Sequence, residues 1–169
     1  ADGGYYWRTA PSDVLQGRVL GNLITGDGAA NVGIIYLNDA YGTGLKENAE
    51  KAIKAAGGNI VASEAFNEGD SQFGSQIDAV LAQKPDAIAL IAFDQTKIII
   101  PELVGTKGFD ASKVYFVDGN LADYSKDFAA GMLNCAKGTL PGVLAKEDFK
   151  AQLLGVDKAL TDFSYSAES

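Results

Sequence analysis

Apolar positions along this chain switch between two spacings, one suited to buried strands and one to helices packed on a single face. Asn31 to Leu37 is an almost unbroken apolar run, as expected for a strand covered on both sides. It ends in Asn38-Asp39-Ala40-Tyr41-Gly42, a turn. Helical spacing follows at once, with Leu45, Ala49, Ala52, Ile53 and Ala56 on one face. Gly57-Gly58 supplies the left-handed stop. Ile60 to Phe66 reads as a second strand and Glu68-Gly69-Asp70 as its loop. Asp70 or Ser71 is the expected cap of a helix carrying Phe73, Ile77, Val80 and Leu81, closed by Pro85. Ala87 to Ala92 is a continuous apolar run, the pattern of a central parallel strand.

The flanks of this pattern are less regular. Asp94 can cap a helix reaching Lys107, but Pro101 falls inside it and removes a hydrogen bond. That predicts either a kink or a regular stretch that starts near Pro101. Val114 to Val117 reads as a short fourth strand, and Asp118 to Gly142 is rich in small residues with no clear period. Lys146 to Leu160 has helical spacing of Phe149, Leu153, Val156 and Leu160. Ahead of the first strand, Ser12 caps a predicted helix with Leu15, Val19, Leu20 and Leu23, ending near Gly26.

Strand and helix alternate with short links, the order of an α/β protein. The expected architecture is a three-layer α-β-α, Rossmann-like domain. Its sheet is mainly parallel, in the order 2-1-3-4 with room for one more edge strand. Right-handed crossovers then cover both faces with helices. The length of 169 residues fits one domain.

Composition narrows the chemistry. Net charge is −8 and the basic residues are scattered, so no nucleic-acid partner is expected. The chain has no histidine, which removes the usual general base, the common nucleophile triads and most zinc sites. Cys135 is alone, so it forms no disulfide within the chain and is expected to be a small packing residue. There is no P-loop, no GxSxG elbow and no EF-hand loop, and Gly42-Thr43-Gly44 is only a fragment of a dinucleotide fingerprint. No metal and no cofactor is therefore expected, and no enzyme activity.

In a parallel sheet all strand C-termini face one edge, and ligands bind where the strand order reverses. Tyr41 follows strand one, Phe93 and Asp94 follow strand three, and Asp118-Gly119 follow strand four. Two rings and one or two carboxylates on one rim suit a small ligand with a cationic group and an apolar body. Each residue also suits a plain role. Tyr41 can pack its turn, Phe93 can finish a core strand, Asp94 can cap a helix and Asp118-Gly119 can be a simple turn.

Several segments, taken in order, resemble the periplasmic-binding-protein type I fold, and within it the branched-chain amino-acid binding proteins of ABC transporters. They are Trp7-Arg8-Thr9-Ala10-Pro11-Ser12-Asp13 with Gln16-Gly17, then Val32 to Gly44, then Ala55-Ala56-Gly57-Gly58 with Asp70-Ser71-Gln72-Phe73, then Pro85-Asp86-Ala87-Ile88, then Tyr115 to Gly119. The resemblance implies a binding protein of two lobes that closes on its ligand about a hinge, of which this chain looks like the second lobe. On that reading residues 1–10 are the crossover, 11–162 the core, and 163–169 the start of a return toward a first lobe. The resemblance also implies roles. Tyr41 matches the aromatic that covers the ligand, and Phe93, or its neighbour Asp94, matches the second contact. Asp118, with Gly119, matches the acid that pairs with the ligand's ammonium. Relatives often carry Tyr at the Phe93 position, and some carry Glu at the Asp118 position. The implied partners are an amino acid or similar small molecule, the first lobe and the membrane subunits of an ABC importer. The implied location is extracellular or periplasmic, with or without a lipid anchor. The same fold serves receptor ectodomains and sugar-responsive transcription regulators. A flavodoxin-like enzyme is a further alternative, for which Asn38 to Gly42 is a poor phosphate loop.

Overall fold

The computed structural model of the protein describes residues 12–140 and 147–159. Residues 13–140 form one compact unit, and the described stretch 147–159 belongs to a second. The larger unit holds helices α1 (Asp13–Gly26), α2 (Ala40–Ala55), α3 (Gly74–Ala82) and α4 (Thr96–Ile100). Its strands are β1 (Asn31–Leu37), β2 (Asn59–Phe66), β3 (Ala87–Ile91), β4 (Val114–Phe116) and β5 (Lys137–Gly138). The strand order is β2-β1-β3-β4-β5 and every pairing is parallel. This is the expected order, with β5 as the added edge. The chain steps from β1 outward to β2 and then back past β1 to β3, so the order reverses between β1 and β3.

The core has two halves, one on each face of the sheet. Along β3, Ile88 and Leu90 join Phe73, Ile77 and Val80 of the α3 side, together with Ile99, Ile100 and Leu103. Ala87, Ala89 and Ile91 join Leu20, Ile24, Leu45, Ala49 and Ile53 on the α1 and α2 side. All five residues of β3 are buried, which is why its sequence shows no polar alternation.

Helix α1 buries a face other than the expected one. Leu15 and Val19 are exposed, whereas Gln16, Gly17, Leu20, Gly21 and Ile24 are buried. The reason is close contact with α2. A Cβ at Gly17 would stand 2.9 Å from the Leu45 carbonyl oxygen and 2.9 Å from the Ala49 nitrogen. At Gly21 it would stand 2.8 Å from the Ala49 oxygen. Two glycines one turn apart let the helix backbones meet, and the larger apolar side chains turn outward.

Helix α3 starts at Gly74, with Phe73 before it and no side-chain cap. Neither Asp70 nor Ser71 is its cap. Asp70 instead accepts a hydrogen bond from the Asn67 N–H at 2.7 Å and holds the loop. Phe73 is buried edge-on against Phe66, with ring centroids 5.2 Å apart. After α4 the backbone passes into a π-helical turn, Pro101–Thr106. Pro101 has no N–H to offer the carbonyl four residues back, and the bonds beyond it shift to a wider ring, as in Lys107 N–H to Glu102 O at 2.8 Å. The Pro101 expectation thus resolves as a change of helix register.

Cys135 does not pack inside. It is exposed on the turn before β5, with a positive φ of 63°. In the second unit, α5 (Glu147–Val156) is shorter than the expected 146–160 helix, and Val156 on it is exposed. The side chains of Phe149, Leu153 and Leu160 fall outside the described residues, as do segments 1–10 and 163–169.

Candidate functional site at the C-terminal edge of the sheet

The turn from β1 into α2 is built around Asp39. Its carboxylate accepts the Gly42 N–H at 2.6 Å and caps the helix. Tyr41 therefore sits in the first turn of α2, at the rim. Its hydroxyl donates to Asp118 Oδ1 at 2.5 Å and accepts the Gly119 N–H at 3.3 Å. The first of these is short, as expected when the acceptor is charged. The phenol has one proton, and Asp118 holds it.

Phe93 follows β3 and packs beside Tyr41, with ring centroids 5.1 Å apart and a tilt of 30°. It also lies over Gly119, where a Cβ would come within 2.7 Å of its ring. Phe93 is nonetheless 41% exposed, so one part of the ring meets solvent.

Asp118 opens the turn after β4. Besides Tyr41, it accepts from Gln16 Nε2 at 2.9 Å. The turn is tied down from beneath by Asn120, which is fully buried. Asn120 Oδ1 accepts the Val117 N–H at 2.9 Å, and Nδ2 donates to the Leu90 carbonyl at 3.0 Å and Thr96 Oγ1 at 3.1 Å. The carboxylate is thus presented from a rigid rim. Tyr41, Phe93, Asp118 and Gly119 come together, from the ends of three adjacent strands.

Asp94 does not join them. Its carboxylate is almost fully exposed and pairs with Lys97 Nζ at 3.4 Å. That hydrogen bond is the leading reason the Lys97 ammonium is held above its usual range. Nor does Asp94 cap α4, which begins at Thr96 with no side-chain cap. Gln16, Thr139 and Asn120 are the contributors that the rim pattern did not single out.

Burial, and then the hydrogen bond to Asp118, push the Tyr41 phenol upward. Tyr115, whose hydroxyl donates to Asp27 at 2.7 Å at the opposite edge of the sheet, is pushed upward for the same reasons in the same order. Unfolded tyrosine loses its proton near pH 10, roughly. Folded Tyr41 and Tyr115 keep theirs to higher pH, so stability is fully present below about pH 10 and falls above it. A tyrosinate absorbance titration should show Tyr41, Tyr115 and Tyr124 ionising late, since burial pushes the Tyr124 phenol upward as well. The alkaline loss of stability should be shallower in Tyr41→Phe. Ionisation of all seven tyrosines in one step near pH 10 would contradict the geometry.

Residues 1–134 match the model of the family described as periplasmic binding protein. The chain belongs to the periplasmic binding protein family. The family and its solved relatives are solute-binding proteins rather than enzymes. This periplasmic binding protein is 31% identical over 102 residues to the chemotactic signal transduction system substrate-binding protein BasB of Halobacterium salinarum. That match covers 58% of the chain and 24% of the relative. Among solved structures it is similar to a putative branched-chain amino acid ABC transporter protein from Rhodospirillum rubrum, with a TM-score of 0.76 at 20% identity. The alignment covers 95% of this chain and 48% of that one. A solute-binding protein of R. palustris in complex with benzoate aligns with a TM-score of 0.61 at 17% identity, over 67% of this chain and 31% of that one. These likenesses confirm the three-layer parallel fold. The chain spans about a quarter of the curated relative and about half of the first of these structures.

Proposed function

We propose that this chain is the second lobe of a two-lobe extracellular or periplasmic binding protein that delivers an amino acid to an ABC importer. The observation that carries the reading is the Asp118 carboxylate. It follows β4 on the rim, next to the β1–β3 reversal, braced by Tyr41 and Gln16 and flanked by the Tyr41–Phe93 ring pair. A carboxylate so placed is complementary to an ammonium group, and the ring beside it to an apolar side chain. It disfavours an anionic ligand such as the benzoate of the R. palustris protein, which would bring like charges together. Tyr41 offers a ligand its ring, because its only proton is spent on Asp118. Hinge closure of a first lobe over this rim would exclude water and strengthen the charge contact. The name of the Halobacterium relative favours a second reading in which the same binding event feeds a chemotactic signal rather than a transporter.

Calorimetric titration of the complete two-lobe protein tests the ligand class. Aliphatic L-amino acids should bind, and their deaminated carboxylic acids and benzoate should bind at least tenfold more weakly, because the rim carboxylate then has no cation to pair with. Preference for benzoate over every amino acid would overturn the assignment.

A further inference from the structure

We infer that Gln16 is a positioning residue for the Asp118 carboxylate. Its amide, reaching up from α1, fixes how the acid is presented at the rim without touching the ligand. The inference rests on the reading of Asp118 as the ammonium partner. Gln16 is a polar residue on the buried face of α1, only 6% exposed, in its first turn and next to Gly17, where α1 packs tightly on α2. Its Nε2 donates to Asp118 Oδ1 at 2.9 Å and to the Thr139 carbonyl at 3.3 Å, with Thr139 Oγ1 at 3.5 Å. An amide nitrogen has two hydrogens, and these acceptors use both. The reversed amide would set Oε1 against a carboxylate oxygen and a carbonyl oxygen, so the chemistry admits one orientation.

The consequence is geometric. Among the described residues, the side-chain donors to Asp118 both meet Oδ1, Tyr41 from α2 and Gln16 from α1. Two donors from two helices on one oxygen fix the rotation of the carboxylate and assign its other oxygen to the ligand. Thr139 follows β5, so Gln16 also ties the edge strand to the rim. Gln16 does this from the N-terminal end of α1.

A double-mutant cycle in the complete two-lobe protein tests this, with L-leucine as the probe and calorimetry as the readout. Gln16→Met keeps the length of the side chain and removes both donors, and Gln16→Leu serves if the first variant does not fold. Either should weaken leucine binding about tenfold in the wild-type background, since the lost bond is to a charged group. Added to Asp118→Asn, the same change should cost less than about twofold, because a residue acting through Asp118 has nothing left to position. An equal loss in both backgrounds would mean a purely structural role and overturn the inference. So would unchanged affinity in Gln16→Met when Asp118→Asn binds poorly. If Asp118→Asn itself binds leucine normally, the ammonium reading fails first and Gln16 loses its role with it.

Discussion

Asp118→Asn is expected to weaken amino-acid binding on the order of 100-fold while leaving the lobe folded. The substitution keeps the side chain's shape. An amide oxygen at the Oδ1 position still accepts from the Tyr41 hydroxyl and from Gln16 Nε2, so both braces survive. Asn120 continues to hold the turn through Val117, Leu90 and Thr96, none of which depends on the carboxylate. What disappears is the charge opposite the ligand's ammonium. Truncating one side of a buried, hydrogen-bonded charge pair costs about 2–5 kcal/mol in complexes of this kind, which brackets the expected factor. Calorimetry on the two-lobe protein should therefore show lost affinity for leucine and little change for its deaminated analogue, with a melting temperature within about two degrees of the parent. Affinity within about threefold of the parent would remove Asp118 from the ligand site. The Tyr41–Phe93 pair would then be the remaining contact at the rim.

The rim was legible in the sequence because parallel strands make it so. Once β1, β3 and β4 are read from their apolar runs, the residues that follow them must share an edge. The period of two also bears on Phe93 and Asp94. Ala89 and Ile91 belong to the face covered by α1 and α2, and Phe93 is in phase with them, on the side where Tyr41 lies. Asp94 is out of phase, and its carboxylate meets Lys97 instead. Neighbours at a strand end point to opposite sides, and that rule separates the two residues without any knowledge of a family.

Gln16 was hidden for a different reason. Its segment reads as an amphipathic helix only if Leu15 and Val19 are counted as the buried stripe, because periodicity weighs side-chain hydrophobicity and glycine has no side chain to weigh. The stripe that packs, Gly17-Leu20-Gly21-Ile24, is flanked by a glutamine that would look misplaced on a buried face. Its partners lie 102 and 123 residues away, beyond any local pattern. Cys135 and the start of α3 failed on similar grounds. Exposure at a turn and the choice of cap are settled by tertiary packing, which local propensity does not see. At Pro101, by contrast, the interruption of the helix follows from one missing N–H, although the π-helical form it takes was neither of the two expected outcomes.

The α1–α2 contact carries the second large effect. Gly21→Val should destabilise the protein by about 3 kcal/mol and lower its melting temperature by roughly 10 °C. Two terms compete. Replacing glycine within a helix recovers up to about 1 kcal/mol of backbone entropy, less for a β-branched residue. Against it stands the space. A Cβ at Gly21 would be 2.7 Å from the Ala52 Cβ, 2.8 Å from the Ala49 oxygen and 3.1 Å from the Ile53 nitrogen. Two of these atoms are backbone and have no rotamer to change, so the helices must part. Parting them uncovers Leu20 and Ile24 and their contacts with Leu45, Ala49 and Ile53, which make up much of one half of the core. Separation would also draw Gln16 away from Asp118, so ligand affinity should fall along with stability in this variant. Asp118→Asn should lose affinity alone. Gly26, at the open end of the same helix, provides the control, because a Cβ there would meet nothing within 4 Å. Gly26→Ala should be neutral or slightly stabilising in a thermal melt followed by circular dichroism. A Gly21→Val protein that melts like the Gly26→Ala control would show that α1 and α2 do not pack this closely in solution.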